Sequence, residues 1–361
     1  MSDPSPARRL LWPLVPAYRL ALAARELRLH SGLEPVRRLR WPVISVGSLS
    51  AGGAGKTPLT IALAKLLSAN GYQVDVLSRG FGRQSRQAAR VRPEGSAEEF
   101  GDEPLLIARD AGVPVYVAPQ RHDAGLLAEI DLQDKDVFWK EGPGAKAPAG
   151  SDRLLAGLMP GPTVHLLDDG FQHRQLARDL DILLLSRQDW HDHLLPAGNL
   201  REPRNAARRA SVIVIPAEEP ELQTELVGWG WRGPIWRFHR RMEVPAAADP
   251  LAAFCGIARP QQFFRGLESA GLSLVSRTAF PDHHRYTAGD FKRIAATAKA
   301  AGATALITTE KDKVRLEQLA ALIPMSLPLL TARLDVEIED EIVALRWLES
   351  RLKEALYRPS L

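Results

Sequence analysis

The sequence contains a single cysteine, Cys255, among its 361 residues. One cysteine excludes a disulfide framework and any metal site built from several cysteines, and it is typical of a protein in a reducing cytoplasm. Long apolar runs are also missing, because charges or prolines interrupt each one before the roughly 20 residues needed to cross a bilayer. Apolar residues still make up 45% of the chain. That fraction excludes disorder as the main state, and the length allows two domains.

Acidic residues are scarce in the first 40 positions, which hold eight arginines and three acids. The rest of the chain holds 39 basic and 40 acidic residues, so the basic excess lies entirely at the N-terminus. This distribution indicates a local anionic partner rather than a nucleic-acid-binding body. We therefore predict no nucleic-acid partner, and no feature of the sequence indicates an obligate protein partner.

The N-terminal segment, residues 1–32, is apolar and studded with arginines. A helix is predicted from Ala17 to Leu29, with Pro16 near its first turn. Trp12 and Tyr18 suit a membrane interface, and the arginines suit anionic headgroups. Two interpretations stay open: a peripheral membrane helix, or a helix packed on its own domain.

Short apolar runs alternate with helical patterns along the rest of the chain, which predicts βαβ units and a mostly parallel sheet. The predicted strands lie at 43–47, 73–78, 114–118, 163–168, 181–186 and 211–216, with helices near 57–69, 103–112 and 121–130. Gly and Pro residues in 131–162 indicate a surface insertion. A strand at 234–244 precedes a linker and a second, smaller βα pattern, and an amphipathic helix is predicted over 337–356.

The strongest motif is a glycine-rich loop between a predicted strand and a predicted helix, in the stretch VISVGSLSAGGAGKTPLTIALAKLL. Backbone amides at such a loop can approach a phosphate closely. Lys56 would bridge the β- and γ-phosphates of ATP, and the Thr57 hydroxyl would bind Mg²⁺. The pattern departs from the usual one at its first position, where Ser50 replaces glycine. The residues predicted to bind ATP are Ser50, Ala51, Gly52, Gly53, Ala54, Gly55, Lys56 and Thr57.

A second element, TVHLLDDGFQH, ends an apolar strand in Asp168 and Asp169. Carboxylates at the carboxyl edge of a parallel sheet can hold Mg²⁺ and its waters. Asp-Asp-Gly alone is a common turn, so this element gains weight only beside the phosphate loop.

Taken together, these motifs resemble those of the tetraacyldisaccharide 4′-kinase (lipid A 4′-kinase) family. The matching stretches are SVGSLSAGGAGKTP, LSRGFGR, GDEPLLIAR, LDDGFQHRQLARDLDILLLS, LLPAGNLREP, FCGIARPQQFFRGLESAGL, FPDHHRYTAGDF and ITTEKDKVRL. They occur in the family's order over most of residues 1–315. The N-terminal arginine-rich helix resembles the family's membrane anchor.

The resemblance implies a P-loop NTPase-like α/β/α domain with a mostly parallel sheet and a second, smaller α/β/α domain. The expected division is an N-terminal basic membrane-associating helix at 1–32, a P-loop kinase domain at 33–244, a smaller α/β domain at 245–335 and a C-terminal helix at 336–361. The active site is expected between the two domains.

The activity that the resemblance implies is transfer of the γ-phosphate of ATP, with Mg²⁺, to the 4′-hydroxyl of a tetraacyldisaccharide 1-phosphate, giving lipid IVA. The expected location is the cytoplasmic face of the Gram-negative inner membrane, with the membrane surface and the lipid substrate as partners.

The family's functional residues map onto this sequence by motif. Its catalytic aspartate corresponds to Asp102, and its partner histidine to His283, with His284 as the second choice. Lys56 completes the predicted catalytic set, and Asp168 and Asp169 correspond to aspartates on the metal side. Positions near nucleotide or substrate are expected at Arg79, Arg121, Arg201 and Glu202. Because Asp102 and His283 fall in different predicted domains, we expect closure to bring them together.

Each of these residues also has a purely structural interpretation. Asp102 precedes a helical run and suits a helix N-cap. His283 and His284 could belong to a turn or a metal pair, and Arg201 with Glu202 could form an exposed ion pair of little energetic weight.

Two other functions also use a GGxGKT loop. A membrane-associated nucleotide switch usually carries a lysine just before the paired glycines, where this chain has Ala51. A soluble small-molecule P-loop kinase would leave the N-terminal arginine-rich helix unexplained.

Overall fold

A computed structural model of the protein describes residues 10–52, 55–140, 161–246, 249–317, 319 and 327–356, without the side chains of 133–140. The strands are β1 (Val43–Ser48), β2 (Gln73–Ser78), β3 (Ala89–Arg90), β4 (Val115–Val117), β5 (Thr163–Asp168), β6 (Leu180–Leu184), β7 (Val212–Pro216), β8 (Ile235–Glu243), β9 (Leu251–Cys255), β10 (Leu274–Ala279), β11 (Ala305–Thr309) and β12 (Leu329–Ile338). The α-helices are α1 (Val15–His30), α2 (Lys56–Ala69), α3 (Ala97–Phe100), α4 (Asp102–Asp110), α5 (Arg121–Lys140), α6 (Arg187–Trp190), α7 (Pro220–Gly228), α8 (Pro260–Ser269), α9 (Ala288–Ala300), α10 (Glu310–Leu316) and α11 (Glu341–Leu356).

All twelve strands belong to one sheet, in the order β10-β9-β11-β12-β8-β7-β6-β1-β5-β2-β4-β3. Neighbouring strands are parallel except at β8–β12 and β3–β4. Strands β1, β5, β6 and β7 are buried along their whole length. Burial on both faces explains why their sequences are continuous apolar runs without alternation. The predicted α/β class with a mostly parallel sheet is confirmed.

The two predicted units share this sheet. Strand β12 pairs in parallel with β11 on one side and antiparallel with β8 on the other, which joins the smaller βα pattern to the larger one. The boundaries 33–244 and 245–335 stay a prediction.

The structure differs from the sequence predictions at two helix boundaries and one strand. Helix α5 continues to Lys140 instead of ending near residue 130, and 141–160, most of the predicted insertion, lie outside the described residues. Strand β12 was not predicted. The C-terminal helix begins at Glu341 instead of residue 336 or 337, because β12 extends to Ile338 and pairs there with Phe238.

Helix α1 lies on the body of the protein. Val15, Tyr18 and Leu22, spaced three and four residues apart, pack against the apolar cluster around Leu49 and Phe171. Its other side leaves apolar side chains in solvent, at Leu20 with 72% of its surface exposed and Leu27 with 69%. Among the described residues, no helix is both long and apolar enough to cross a membrane.

Candidate active site

The phosphate loop connects β1 to α2. Gly52 and Gly55 both have a positive φ, +91° and +95°, a backbone conformation that favours glycine. Lys56 opens the helix, and its Nζ donates to Ser48 Oγ at 3.3 Å and lies 3.5 Å from Asp169 Oδ1. The structure thus brings the predicted residues of the loop together, apart from two that lie outside the described residues: Gly53 and Ala54.

Residues 199–200 hold the start of this loop in place. The amide of Ala51 donates to the carbonyl of Asn199 at 2.7 Å, and Ser50 forms a bridge with Leu200. Ser50, the departure from the usual pattern, is fully buried, and its carbonyl accepts from Ser48 Oγ at 2.9 Å. Ser50 is therefore packed inside the protein as part of the loop.

The two predicted metal-side aspartates end β5, next to β1 in the sheet. Asp168 is buried and pairs in register with Val46, and its Oδ1 accepts from Thr60 Oγ1 at 3.2 Å. Burial, together with the negative charges of Glu103 and Asp169, raises the pKa of Asp168 to about 7.

Asp169 has the opposite environment. Burial alone would raise its pKa, but the Lys56 and Arg201 charges outweigh burial and hold the pKa of Asp169 well below its usual range. Arg201 binds its carboxylate with two nitrogens, at 2.9 and 2.7 Å. Such bidentate pairs fix geometry as well as charge.

Asp102 lies at the first position of α4 and is only 5% exposed. Its N-cap interpretation is wrong, because Gly101, at φ +92°, occupies the N-cap position. The Asp102 carboxylate faces the smaller βα unit, where its Oδ2 lies 3.2 Å from His283 Nδ1. Burial alone would raise the pKa of Asp102, but His283, Lys311 and Arg315 lower it well below its usual range.

His283, and not His284, reaches Asp102. The amide of His283 donates to the carbonyl of Gly256 at 3.2 Å, and its ring contacts Phe81 at 5.0 Å between centroids. His284 Nε2 lies 3.1 Å from Asp290 Oδ2, and its ring stacks on Phe280. The pair that we expected closure to assemble is already in contact in this structure.

Backbone strain marks two of these positions. Asp169 and His283, with φ of 48° and 57°, are the non-glycine residues with positive φ in the described part of the chain. Such conformations cost free energy and often occur at functional sites.

The phosphate loop and the His283 segment are neighbours. A Cβ built on Gly52 would lie 2.6 Å from Ala258 Cβ and 3.9 Å from Asp282 Oδ2. The loop and the Asp102–His283 pair therefore lie beside each other, where the two units meet.

The remaining predicted site residues are charged, and they differ in burial. Arg121 opens α5 and is 6% exposed, and burial lowers its pKa to about 10 even though Asp169 and Asp168 oppose that shift. Arg79 is exposed at the end of β2. Glu202 is buried and accepts from Arg209 at 2.7 Å, so Arg201 and Glu202 are not an exposed ion pair with each other.

Sequence reasoning assigned no role to two cations of α10. Lys311 Nζ donates to Glu103 Oε1 at 2.8 Å and lies 3.4 Å from His283 Nε2, and Arg315 binds Asp102. Both belong to the stretch ITTEKDKVRL. Their spacing of four residues on a helix places them on one face, a signal that was available in the sequence.

The family model for tetraacyldisaccharide-1-P 4′-kinase matches residues 7–353. The chain belongs to this family. The tetraacyldisaccharide 4′-kinase of Koribacter versatilis is 38% identical over 340 residues, which cover 92% of this chain and 96% of that protein. That of Anaeromyxobacter sp. strain Fw109-5 is 39% identical over 362 residues, covering 91% and 88%.

A solved structure of a tetraacyldisaccharide 4′-kinase family member has the same fold. The crystal structure of LpxK from Aquifex aeolicus in complex with ATP matches with a TM-score of 0.66 and 29% identity, over 96% of this chain and 99% of that one. The resemblance found in the sequence motifs is confirmed.

Proposed function

We propose that this protein transfers the γ-phosphate of ATP to the 4′-hydroxyl of a tetraacyldisaccharide 1-phosphate and so forms lipid IVA. The observation that carries the proposal is the closeness of two groups of residues. The phosphate loop with its lysine lies beside buried Asp102 and partly exposed His283, whose carboxylate and ring nitrogen are 3.2 Å apart. Phosphoryl transfer to a hydroxyl requires those two components in one place.

The phosphate loop would hold the nucleotide. Its amides and Lys56 would bind the β- and γ-phosphates, and Ser48 and Asp169 hold the Lys56 side chain at the loop. Arg121 and Arg201 lie near Asp169 and add positive charge beside the transferred group.

The residues present fit Mg²⁺, which prefers oxygen ligands. Thr57, Asp168 and Asp169 would hold it. The pKa of Asp168 rises to about 7 because negative charges crowd around a buried carboxylate, a surplus that a divalent cation would neutralise. When bound, the ion would offset charge on the phosphates.

The Asp102–His283 pair would accept the proton of the sugar hydroxyl. Nδ1 of His283 lies 3.2 Å from Asp102 Oδ2, which can only accept hydrogen bonds, and 3.3 Å from Arg315 Nη2, so we assign the ring proton to Nδ1 on the nearer carboxylate. Nε2 then carries the lone pair and accepts from Lys311 at 3.4 Å. The carboxylate orients the ring and stabilises the positive charge that develops on it.

We further propose that α1 and the segment before it bind the cytoplasmic face of the inner membrane. Six exposed apolar side chains lie here: Leu10, Leu11, Trp12, Leu14, Leu20 and Leu27. Arginines at 19 and 28 stand among them, a composition that suits an anionic interface. The inner face packs on the body, where Tyr18 donates to the carbonyl of Arg201 at 2.9 Å, so membrane attachment and active site are adjacent.

Flotation with vesicles containing anionic phospholipid tests this attachment. The double variant Leu20→Glu/Leu27→Glu should lose vesicle binding, because charges replace two exposed apolar side chains. Val227→Glu, another exposed apolar position, is the control and should bind like the wild type. Equal binding by all three proteins would contradict the proposed surface.

Transfer of label from γ-labelled ATP to purified tetraacyldisaccharide 1-phosphate tests the reaction. We expect a labelled lipid product that depends on Mg²⁺, and no label on an acceptor already phosphorylated at the 4′-position. ATP hydrolysis without labelled lipid would overturn the kinase proposal and favour a nucleotide switch. Labelling of a water-soluble sugar in place of the lipid would favour a soluble kinase.

A further inference from the structure

Arg315 of α10 makes an unusual set of contacts for a residue outside the phosphate loop. It is 8% exposed, and its Nε donates to Asp102 Oδ2 at 2.7 Å while Nη2 donates to the same oxygen. Its remaining nitrogen, Nη1, donates to the carbonyl of Gly256 at 2.7 Å and to Asp312 Oδ1 at 3.0 Å. One guanidinium thus connects α4 to the smaller unit.

The acceptors of Arg315 belong to the frame that holds His283. The carbonyl of Gly256 also accepts from the His283 amide at 3.2 Å, and the Gly256 amide donates to Asp312 Oδ2 at 3.0 Å. Tyr286 donates to the other oxygen of Asp312 at 3.1 Å. Arg315 and His283 are therefore fixed to one carbonyl, in a buried and hydrogen-bonded setting.

We propose that Arg315 is a positioning residue for phosphate transfer: it holds the Asp102 carboxylate against His283 and keeps it charged. The inference rests on the proposed function and adds a residue to it. A buried carboxylate is costly unless it is paired and hydrogen-bonded. The His283 ring alone offers it one donor, whereas Arg315 offers two to the same oxygen and adds a permanent positive charge.

Charged groups lie around Asp102 on three elements. Burial opposes its ionisation, and neighbouring positive charges favour it. The groups near it are Glu103 on its own helix, Asp282 and His283 on the loop after β10, and Lys311, Asp312 and Arg315 on α10. Lys311 donates to Glu103, whereas Arg315, which also binds Asp312, donates directly to Asp102.

If Arg315 only joined the α4 segment to the α10 segment, loss of another ion pair between them should have the same effect on phosphate transfer. The same two segments are also joined by Arg109, whose guanidinium pairs with Glu317 at the far end of α4. Arg109→Gln removes a more exposed ion pair between these segments without touching Asp102. It is the matched control for Arg315→Gln.

The experiment measures kcat and KM separately for lipid phosphorylation at neutral pH in four proteins: wild type, Arg315→Gln, Arg315→Lys and Arg109→Gln. Loss of Arg315 removes the two hydrogen bonds that hold the Asp102 carboxylate, so the carboxylate no longer orients the His283 ring. We expect kcat to fall on the order of 10²-fold in Arg315→Gln, while KM for ATP and for the lipid stay near the wild-type values. ATP binding, measured separately, should be retained.

Arg315→Lys guards against a simple loss of folding, since it keeps the charge but forms fewer bonds. It should fold and lose less of the wild-type kcat than Arg315→Gln does. Arg109→Gln should keep the wild-type kcat. A wild-type kcat in a folded Arg315→Gln variant, or an equal fall of kcat in Arg109→Gln, would overturn the inference. Failure of the wild type to label the lipid would instead overturn the proposed function.

Discussion

At the scale of single residues, consecutive side chains in the candidate site have different environments and different roles. Asp168 and Asp169 are consecutive, yet the pKa of the first is raised to about 7 and that of the second is lowered. His283 and His284 are also consecutive, and only the first contacts Asp102. In both pairs one residue, Asp169 or His283, has the positive φ that non-glycine residues rarely adopt.

The consecutive histidines give a direct test of the site. We expect His283→Gln to reduce phosphate transfer by on the order of 10²-fold or more at saturating ATP, because the pair loses its basic nitrogen. His284→Gln removes a contact with Asp290 and a stacking contact with Phe280, so it should cost stability rather than rate. Initial rates and thermal unfolding of both variants check this, and the reverse pattern would reassign the histidine.

A second residue-scale prediction concerns stability at high pH. His165 is fully buried, with Nδ1 at 2.8 Å from Asp75 Oδ1 and Nε2 at 3.5 Å from Glu129 Oε1. Burial alone would lower its pKa, but the two carboxylates raise it from 6.5 to about 9. A raised folded-state pKa stabilises the protein fully below pH 6.5, and this contribution is lost as the pH rises through 9.

The size of this effect is at most about 3 kcal/mol for a shift of that extent. Urea unfolding midpoints of the wild type should therefore fall between pH 6.5 and 9. His165→Gln should start from a lower midpoint and show a flatter profile over that range. A wild-type midpoint that is constant across the range, or one that falls equally in His165→Gln, would contradict the assignment of a charged His165.

At the scale of elements, the phosphate loop lies against the segment after β9, which belongs to the smaller unit. Gly52 combines a positive φ with a position where a Cβ would lie 2.6 Å from Ala258 Cβ. Both the local backbone and the contact with Ala258 therefore require glycine at position 52.

Gly52→Ala should consequently lower kcat/KM by about tenfold or more, with backbone strain of about 1–2 kcal/mol and a steric conflict combined. Gly71→Ala is the matched control, because Gly71 has a φ of +85° but open space around its Cβ position. It should cost stability only. Adding Ala258→Gly to Gly52→Ala should restore part of the activity. No recovery of kcat/KM in that double variant would show that the conflict between residues 52 and 258 is not the cause of the loss.

The same scale shows what the sequence can predict. The strands that lie deep in the sheet, such as β1 and β5, were predicted to within a residue, because burial on both faces demands continuous apolar runs. Strand β12 was not predicted, although Arg333, Asp335 and Glu337 alternate with Leu334, Val336 and Ile338, the pattern of a half-buried strand. The position of β12 in the sheet depends on its pairing with β8 and β11, and no pattern within β12 predicts those partners.

At the scale of the whole molecule, the candidate site is made by two halves of the chain. The phosphate loop and Asp169 follow from local motifs, so residue patterns alone predict them. Asp102 and His283 lie far apart in the chain and meet only through tertiary packing, so the resemblance, and not the pattern, singled them out. Arg315 was missed because its role depends entirely on that packing.

The most direct test of the account compares Asp102→Asn with Asp110→Asn in the transfer of γ-labelled phosphate to tetraacyldisaccharide 1-phosphate. Both carboxylates lie on α4, but Asp110 pairs with Lys65 and Arg333, away from His283. We predict that Asp102→Asn binds ATP and loses transfer by on the order of 10³-fold, while Asp110→Asn stays near the wild-type rate. Wild-type transfer by a folded Asp102→Asn protein would contradict the account.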